Sequence, residues 1–359
     1  MESPVIRAFT APPVTVFKSS RALWTRQELR RRMEDTLQYL LSENKQEVEA
    51  AHPCLDVVYS HKIAKVVFAI ANILDLSNET KYLALEIFNR FLLTQLDGLM
   101  TCMVSSTTER HLKGRPLKMY ARKIKEQIPI RALACLTIAS KLTSHKSQFA
   151  SKLIPCVPWL KAQPKDICKS EAQILKQLGF KCCKTSTLDY VGLAVSVAGL
   201  LHGGNNPFIN KIRKMSLEIL LAESVHETAV ELLDFVCLNR ERVYDSLCHS
   251  LTCQPPRRSA HYQARFARVL ADRMLLAGSV VTAAAVVLGG HKAAAAMVAS
   301  MCVVLPVTHR DLLTFASCVL ECVNLPMPLC NLLRGKEIQT GNQKLPFNHL
   351  TKKIQRDIN

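Results

Sequence analysis

The pattern of apolar and polar positions along the chain predicts helices almost throughout. The segment IPIRALACLTIASKL (Ile128–Leu142) is apolar or small on every side apart from Arg131 near its start and Lys141 near its end. DICKSEAQILKQLGF (Asp166–Phe180) carries instead a stripe through Ile167, Cys168, Ile174, Leu175 and Leu178, and Glu171 sits inside that stripe. A helix that is apolar all round belongs inside a core, and a helix with a stripe packs against one. A carboxylate on such a stripe is costly unless something outside the helix satisfies it. The lysine leaving the buried helix and the glutamate on the apolar face are therefore the main chemical clue.

Taken in order, Thr25-Arg26-Gln27-Glu28 has capping-box spacing and opens an amphipathic lead-in helix through Leu29, Met33, Leu37, Leu40 and Leu41. His52 and Pro53 end it, and a second helix is expected from about Asp56 to Leu74, with Ile63, Val66, Val67, Ile70 and Ile73 inward. Asn78-Glu79-Thr80 starts a third, to about Leu96, and residues 101–127 read as an irregular insertion. The central helix, Phe149–Leu160 and a helix beginning at Pro164, where proline is well tolerated, bring the count to five between Asp56 and Gly179.

Lys181 to Thr187 is a polar joint, after which the rhythm repeats. Leu188–Leu201 is one helix, and Asn206-Pro207 opens another through Ile212, Leu217 and Leu220. Ser224–Glu227 has capping-box spacing ahead of Leu232–Leu247, and a loop runs from Cys253 to about Ala260. MLLAGSVVTAAAVVL (Met274–Leu288) is the counterpart of the central helix of the first half, and Asp311–Val323 supplies one more. Each apolar run within Met274–Val307 is about fifteen residues, short of the roughly 20 needed to span a bilayer, and Gly289-Gly290-His291-Lys292 divides them. Buried core helices are expected, with no membrane span. The division is a disordered leader (1–24), a first box with its lead-in helix (25–182), a second repeat (183–330) and a basic, mobile tail (331–359).

Composition agrees with an all-α class: 48% of residues are hydrophobic and only 12 of 359 are glycine. The 14 cysteines form no CxxC, and several (Cys135, Cys237, Cys318, Cys322) lie in helical apolar patterns. The first twenty residues carry Pro4, Pro12 and Pro13 and lack an apolar signal region. A reducing compartment, cytosol or nucleus, is expected. The net charge of +18 serves solubility or attraction to acidic partners and nucleic acid. It concentrates at Arg110, Lys113, Arg115, Lys118, Arg122, Lys123 and Lys125, with no acid between them and Tyr120 among them. These read as a solvated loop leading into a basic helix, or as a contact for phosphate or acidic protein. No GxxxxGK, GxGxxG, GxSxG or HExxH is present. Cys248, His249, Cys253 and His261 fit no common zinc spacing. No catalysis, cofactor or metal is expected.

Two five-helix halves, each round an Ala-rich buried helix, resemble the cyclin fold. LSNETKYLALEIFNRFL (Leu76–Leu92) resembles the second helix of a cyclin box, ASKL (Ala139–Leu142) the end of the third, and SEAQILKQLGF (Ser170–Phe180) the fifth. The three occur in order with compatible spacing. By this resemblance Lys141 and Glu171 fall on the family's lysine–glutamate pair, which engages kinase backbone; within the chain alone, the two residues bond to each other across the helix pair. The docking patch of cell-cycle cyclins aligns with Tyr59, Ile63 and Val66, without its tryptophan, and the acidic pair that often follows A-S-K is replaced by Thr143-Ser144.

The lead-in MEDTLQYLLSENKQEVEAA with its N-x-Q, the basic insertion and MLLAGSVVTAAA are similar to divergent cyclins of meiotic crossover maturation. That resemblance implies a nuclear, chromosome-associated regulator acting with a cyclin-dependent kinase and meiotic recombination proteins. The alternatives are a kinase-independent helical adaptor at recombination sites and a nucleic-acid-binding transcription factor of cyclin fold. The second of these usually carries a zinc ribbon, which the absence of CxxC disfavours.

Overall fold

The computed structural model describes residues 26–52, 55–105, 114–143, 154, 163–201, 218–252 and 260–324. The leader, the tail, Phe149–Leu160 apart from Ile154, and the expected helix start at Asn206-Pro207 lie outside the described residues. All regular structure within them is helical, with no strand. In chain order the helices are α1 (Arg26–Glu49), α2 (Leu55–Val58), α3 (His61–Ile73), α4 (Asn78–Ser105), α5 (Gly114–Thr143) and α6 (Pro164–Gln177). They continue with α7 (Thr187–Leu201), α8 (Glu218–Leu238), α9 (Arg240–Thr252), α10 (Ala260–Ala271), α11 (Arg273–Val304) and α12 (His309–Cys322).

Two central helices organise the packing. Ala132, Leu133, Ala134, Cys135, Leu136, Ile138 and Ala139 of α5 are all buried, and α3, α4 and α6 pack around them. Small alanines let the neighbouring backbones approach, and Leu133, Leu136 and Ile138 fill the space between. In the second half the residues from Met274 to Val286 play the same part, with only Leu275 less than fully buried, and α7, α8 and α12 surround them. The halves meet where α3 packs on α8, α4 on α7, and α1 on α10 and α11.

Several boundaries differ from expectation, each for a local reason. The helix expected from about Asp56 to Leu74 is broken at Ser60, whose extended backbone (φ −69°, ψ 132°) and hydroxyl, accepting from Lys62 N–H at 3.3 Å, cap α3. α4 runs on to Ser105, and α5 starts at Gly114 and passes through Pro129. Much of the stretch read as irregular is therefore helical. Ser224–Glu227 lies inside α8 and opens nothing; the chain breaks instead at Asn239. Cys168, placed on the α6 stripe, is exposed. α11 contains Gly290 at φ 71°, ψ −167°, within the Gly289–Lys292 divide. By length and composition α11 is apolar enough to cross a membrane, but 67% of its apolar window is buried within this fold.

Candidate partner-binding site

Lys141 is the first exposed position after the buried run of α5, and its place in the last turn suits a cation at the negative end of the helix dipole. Its Nζ donates to both carboxylate oxygens of Glu171, at 3.0 and 2.9 Å. The two side chains differ in access: that of Lys141 is 50% exposed and that of Glu171 11%. The pair therefore stands at the edge of the core, with the carboxylate held by the fold and the ammonium facing outward.

The elements that carry the pair are fixed at both ends of the buried run of α5. Arg131, at the other end of the buried run, donates to Ser170 Oγ at 3.0 Å and to Gln173 Oε1 at 2.5 Å. It is buried, with its guanidinium 5.2 Å from the Phe91 ring centroid, and burial lowers its pKa. Arg131 and Lys141 lie about 15 Å apart along α5 at 1.5 Å per residue, yet both reach the same turn of α6. The C-terminus of α5 is stitched to the start of α4 by hydroxyls: Thr143 Oγ1 lies 2.6 Å from Thr80 Oγ1, itself 2.9 Å from Ser77 Oγ. Thr143, one of the two residues that depart from the acidic pair, thus has a structural role.

Two exposed apolar residues were missed in the sequence. Leu142 (47% exposed) follows Lys141, and Phe180 (70% exposed) ends the turn after α6. That turn is a Schellman closure in which Phe180 N–H donates to Leu175 O at 2.8 Å and Gly179 N–H to Lys176 O at 3.2 Å. Gly179 (φ 57°) adopts the left-handed region at no cost, but Phe180 (φ 60°) is an L-residue held there. The hydrophobic periodicity that located α6 says nothing about side chains beyond its cap.

Of the aligned docking positions, Ile63 is buried in the core, and Tyr59 and Val66 are half-buried against it. Among the basic positions, Arg110 and Lys113 lie outside the described residues. Arg115, Lys118, Arg122, Lys123 and Lys125 fall on the first turns of α5. Among the described residues no group of three or more His, Cys, Asp and Glu side chains converges as a metal site would require.

The lead-in helix contributes a second unforeseen constellation. Asn44 Oδ1 accepts from Arg273 N–H at 2.9 Å and Met274 N–H at 3.2 Å, and its Nδ2 donates to Asp272 Oδ1 at 3.0 Å. The N of the N-x-Q motif therefore caps α11 from 228 residues away in sequence. Replacing Asn44 by alanine leaves two N–H groups without their acceptor and is expected to cost about 1–2 kcal/mol, read as a lower denaturation midpoint with unchanged slope.

No family model matches the chain. The chain is similar to the mouse (Mus musculus) protein named Cyclin N-terminal domain-containing protein 1, 28% identical over 264 residues, which covers 70% of this chain and 72% of the mouse one. The human (Homo sapiens) protein of the same name is 26% identical over 259 residues, covering 70% and 73%. These similarities support a cyclin-like relationship. The all-helical architecture, with two central buried helices each wrapped by neighbours, agrees with it.

Proposed function

We propose that the chain is a non-enzymatic, cyclin-type regulatory subunit that binds a cyclin-dependent kinase through Lys141 and Glu171, and that it acts in the nucleus on chromosomes, helping meiotic recombination intermediates mature into crossovers. The observation that carries the reading is the unequal exposure of the pair, Lys141 at 50% and Glu171 at 11%. Such a pair presents a positioned ammonium to a partner's backbone carbonyl without first having to order itself. Leu142 and Phe180 supply apolar area that a partner removes from water. The consequence for the kinase is a population shift toward the arrangement in which its own Lys–Glu ion pair forms.

The test is capture of kinase by the full chain from meiotic tissue, comparing wild type with the Lys141→Ala, Glu171→Ala double variant. Truncating a buried charged contact costs about 2–5 kcal/mol of binding, so recovery is expected to fall at least about 30-fold. Thermal unfolding of the double variant is expected to stay within about 1 kcal/mol of wild type, because both charges are removed together and the Lys141 side chain is 50% exposed, and that measurement separates loss of capture from unfolding. Undiminished capture by the double variant would overturn the assigned contact.

A second reading, a kinase-independent adaptor at recombination sites, is favoured by the fact that Lys141 and Glu171 satisfy each other. On that reading the double variant loses stability and keeps its partners.

A further inference from the structure

α5 begins at Gly114, well ahead of the run that it buries. Its first turns, GRPLKMYARKIK, carry Arg115, Lys118, Arg122, Lys123 and Lys125 and no acid. Seven residues make two turns of helix, so Arg115 and Arg122 stand in line, as do Lys118 and Lys125. The three-residue offset between those pairs puts all four positions on one side. They extend over about 15 Å of the helix axis at 1.5 Å per residue. Leu117, Ala121, Ile124 and Ile128 follow at i, i+4, i+7 and i+11 on the other side, with Tyr120 beside them. Ile128 packs against the core, whereas Glu126, four residues beyond Arg122 and in register with it, is exposed. The helix register therefore places the four cationic positions on the outer side of α5.

This placement works against the helix itself. The N-terminal end of a helix favours anions over cations, yet no acid occupies the first turn of α5. Seven of the 47 Lys and Arg residues, and none of the 29 Asp and Glu residues, fall between Arg110 and Lys125. A protein partner is poorly matched by such a face. Protein interfaces are depleted in lysine and built round apolar or aromatic anchors, and the outer side offers only Met119, at its margin. A single-stranded nucleic acid calls for aromatic platforms, and Tyr120 falls on the apolar side. A bilayer surface calls for a free apolar face, and here that side continues into the core at Ile128. A nucleic-acid duplex needs none of these. B-DNA carries one negative charge per about 1.7 Å of axis and binds rows of Lys and Arg by releasing counter-ions.

We propose that the outer side of the first turns of α5 binds the phosphate backbone of a nucleic-acid duplex, through Arg115, Lys118, Arg122 and Lys125 and without reading base sequence. The face lies towards the opposite end of α5 from Lys141, about 24 Å from Lys125 to Lys141 along the helix, so a duplex and a partner protein bind without competing. The test uses no kinase, and its outcome is read separately from that of the Lys141 and Glu171 variants.

The test is fluorescence anisotropy of the full chain with labelled DNA and RNA duplexes of about 20 base pairs and arbitrary sequence, across about 50–200 mM salt. Four phosphate contacts contribute about −3.6 to the slope of log affinity against log salt, a loss of roughly 150-fold over that range. Lys118→Gln with Lys125→Gln, or Arg115→Gln with Arg122→Gln, is expected to make the slope shallower by about 1.8 and to weaken binding at least about tenfold at 100 mM salt. Lys62→Gln with Lys65→Gln removes the same charge from exposed positions on α3 and is expected to leave both values close to wild type. Glutamine is a good helix former, so thermal unfolding of the α5 variants is expected to match wild type, and either α5 pair carries the test alone. Tighter binding of one duplex than the other names the source of the backbone. Equal losses in the α3 and α5 variants, no duplex binding at 100 mM salt, or tighter binding of a single strand or of polyglutamate at equal charge concentration overturns the proposal.

Discussion

Arg273→Met is expected to destabilise the protein by about 3–5 kcal/mol, the range for removing one partner from a buried ion pair. Arg273 is 7% exposed and joins three parts of the chain. Nε meets Glu47 of α1, Nη2 meets Glu86 of α4, and Nη1 donates to Thr185 O in the joint between the halves at 2.6 Å. Burial alone pulls the guanidinium pKa down, but the carboxylates of Glu86 and Glu47 more than reverse this and hold it well above its ordinary value. Methionine keeps most of the volume and removes the charge, so the loss is electrostatic rather than a cavity.

The two carboxylates are not equally orphaned by that change. Glu47 keeps Lys184 as a partner, whereas Glu86, 6% exposed, has no other ion-pair partner among the described residues. Glu86→Leu in the Arg273→Met background is therefore expected to restore a large part of the stability, since a well-packed apolar replacement of a buried pair is often neutral. Denaturant unfolding of the single and double variants gives the coupling directly. Additive losses would mean that Arg273 acts through Glu47 and Thr185 rather than through Glu86.

This hub also marks the limit of what the sequence discloses. The apolar run at Ile128–Leu142, the stripe of α6 and the misplaced carboxylate at Glu171 are local patterns with helical period, and they were enough to pair Glu171 with Lys141 across a helix crossing. The joint after Lys181 and the divide at Gly290 were legible because glycine and polar runs interrupt that period. Asn44, Glu47 and Arg273 were not, because a polar residue on an amphipathic helix carries no mark of a partner more than two hundred positions away. Ser60 and Ser224 show the same limit. Both are helix-start residues by type, yet only Ser60 caps a helix, because α8 is already running before Ser224. Residues 101–127 read as an irregular insertion, and α5 covers the second half of that stretch from Gly114. What local propensity disfavours there, packing of α5 against α3, α4 and α6 outweighs.

Asp234→Ala is expected to cost about 3–5 kcal/mol as well, by a different route. Asp234 Oδ2 accepts from Lys81 Nζ at 2.6 Å, and Oδ1 accepts from Tyr82 O–H at 2.5 Å. The Lys81 side chain is only 5% exposed, with its ammonium 4.7 Å from the Phe68 ring centroid and 5.2 Å from that of Tyr82. Alanine thus strands a cation and a hydroxyl together where α4 meets α8. Burial, with the Asp234 carboxylate beside it, raises the Tyr82 phenol well above its ordinary range, so that in the wild type the hydroxyl is a donor to Asp234. Asp234→Asn keeps an acceptor and removes only the charge, and is expected to lose less than Asp234→Ala.

A second substitution separates the stranded charge from lost packing. Lys81→Met in the Asp234→Ala background removes the stranded ammonium and is expected to recover part of the loss. No recovery would show that Asp234 contributes through packing and the Tyr82 hydrogen bond alone. Because Lys81 belongs to the first half and Asp234 to the second, the loss is also expected to loosen the halves from each other. Earlier proteolysis in the joint between α6 and α7 at matched global stability would report that loosening.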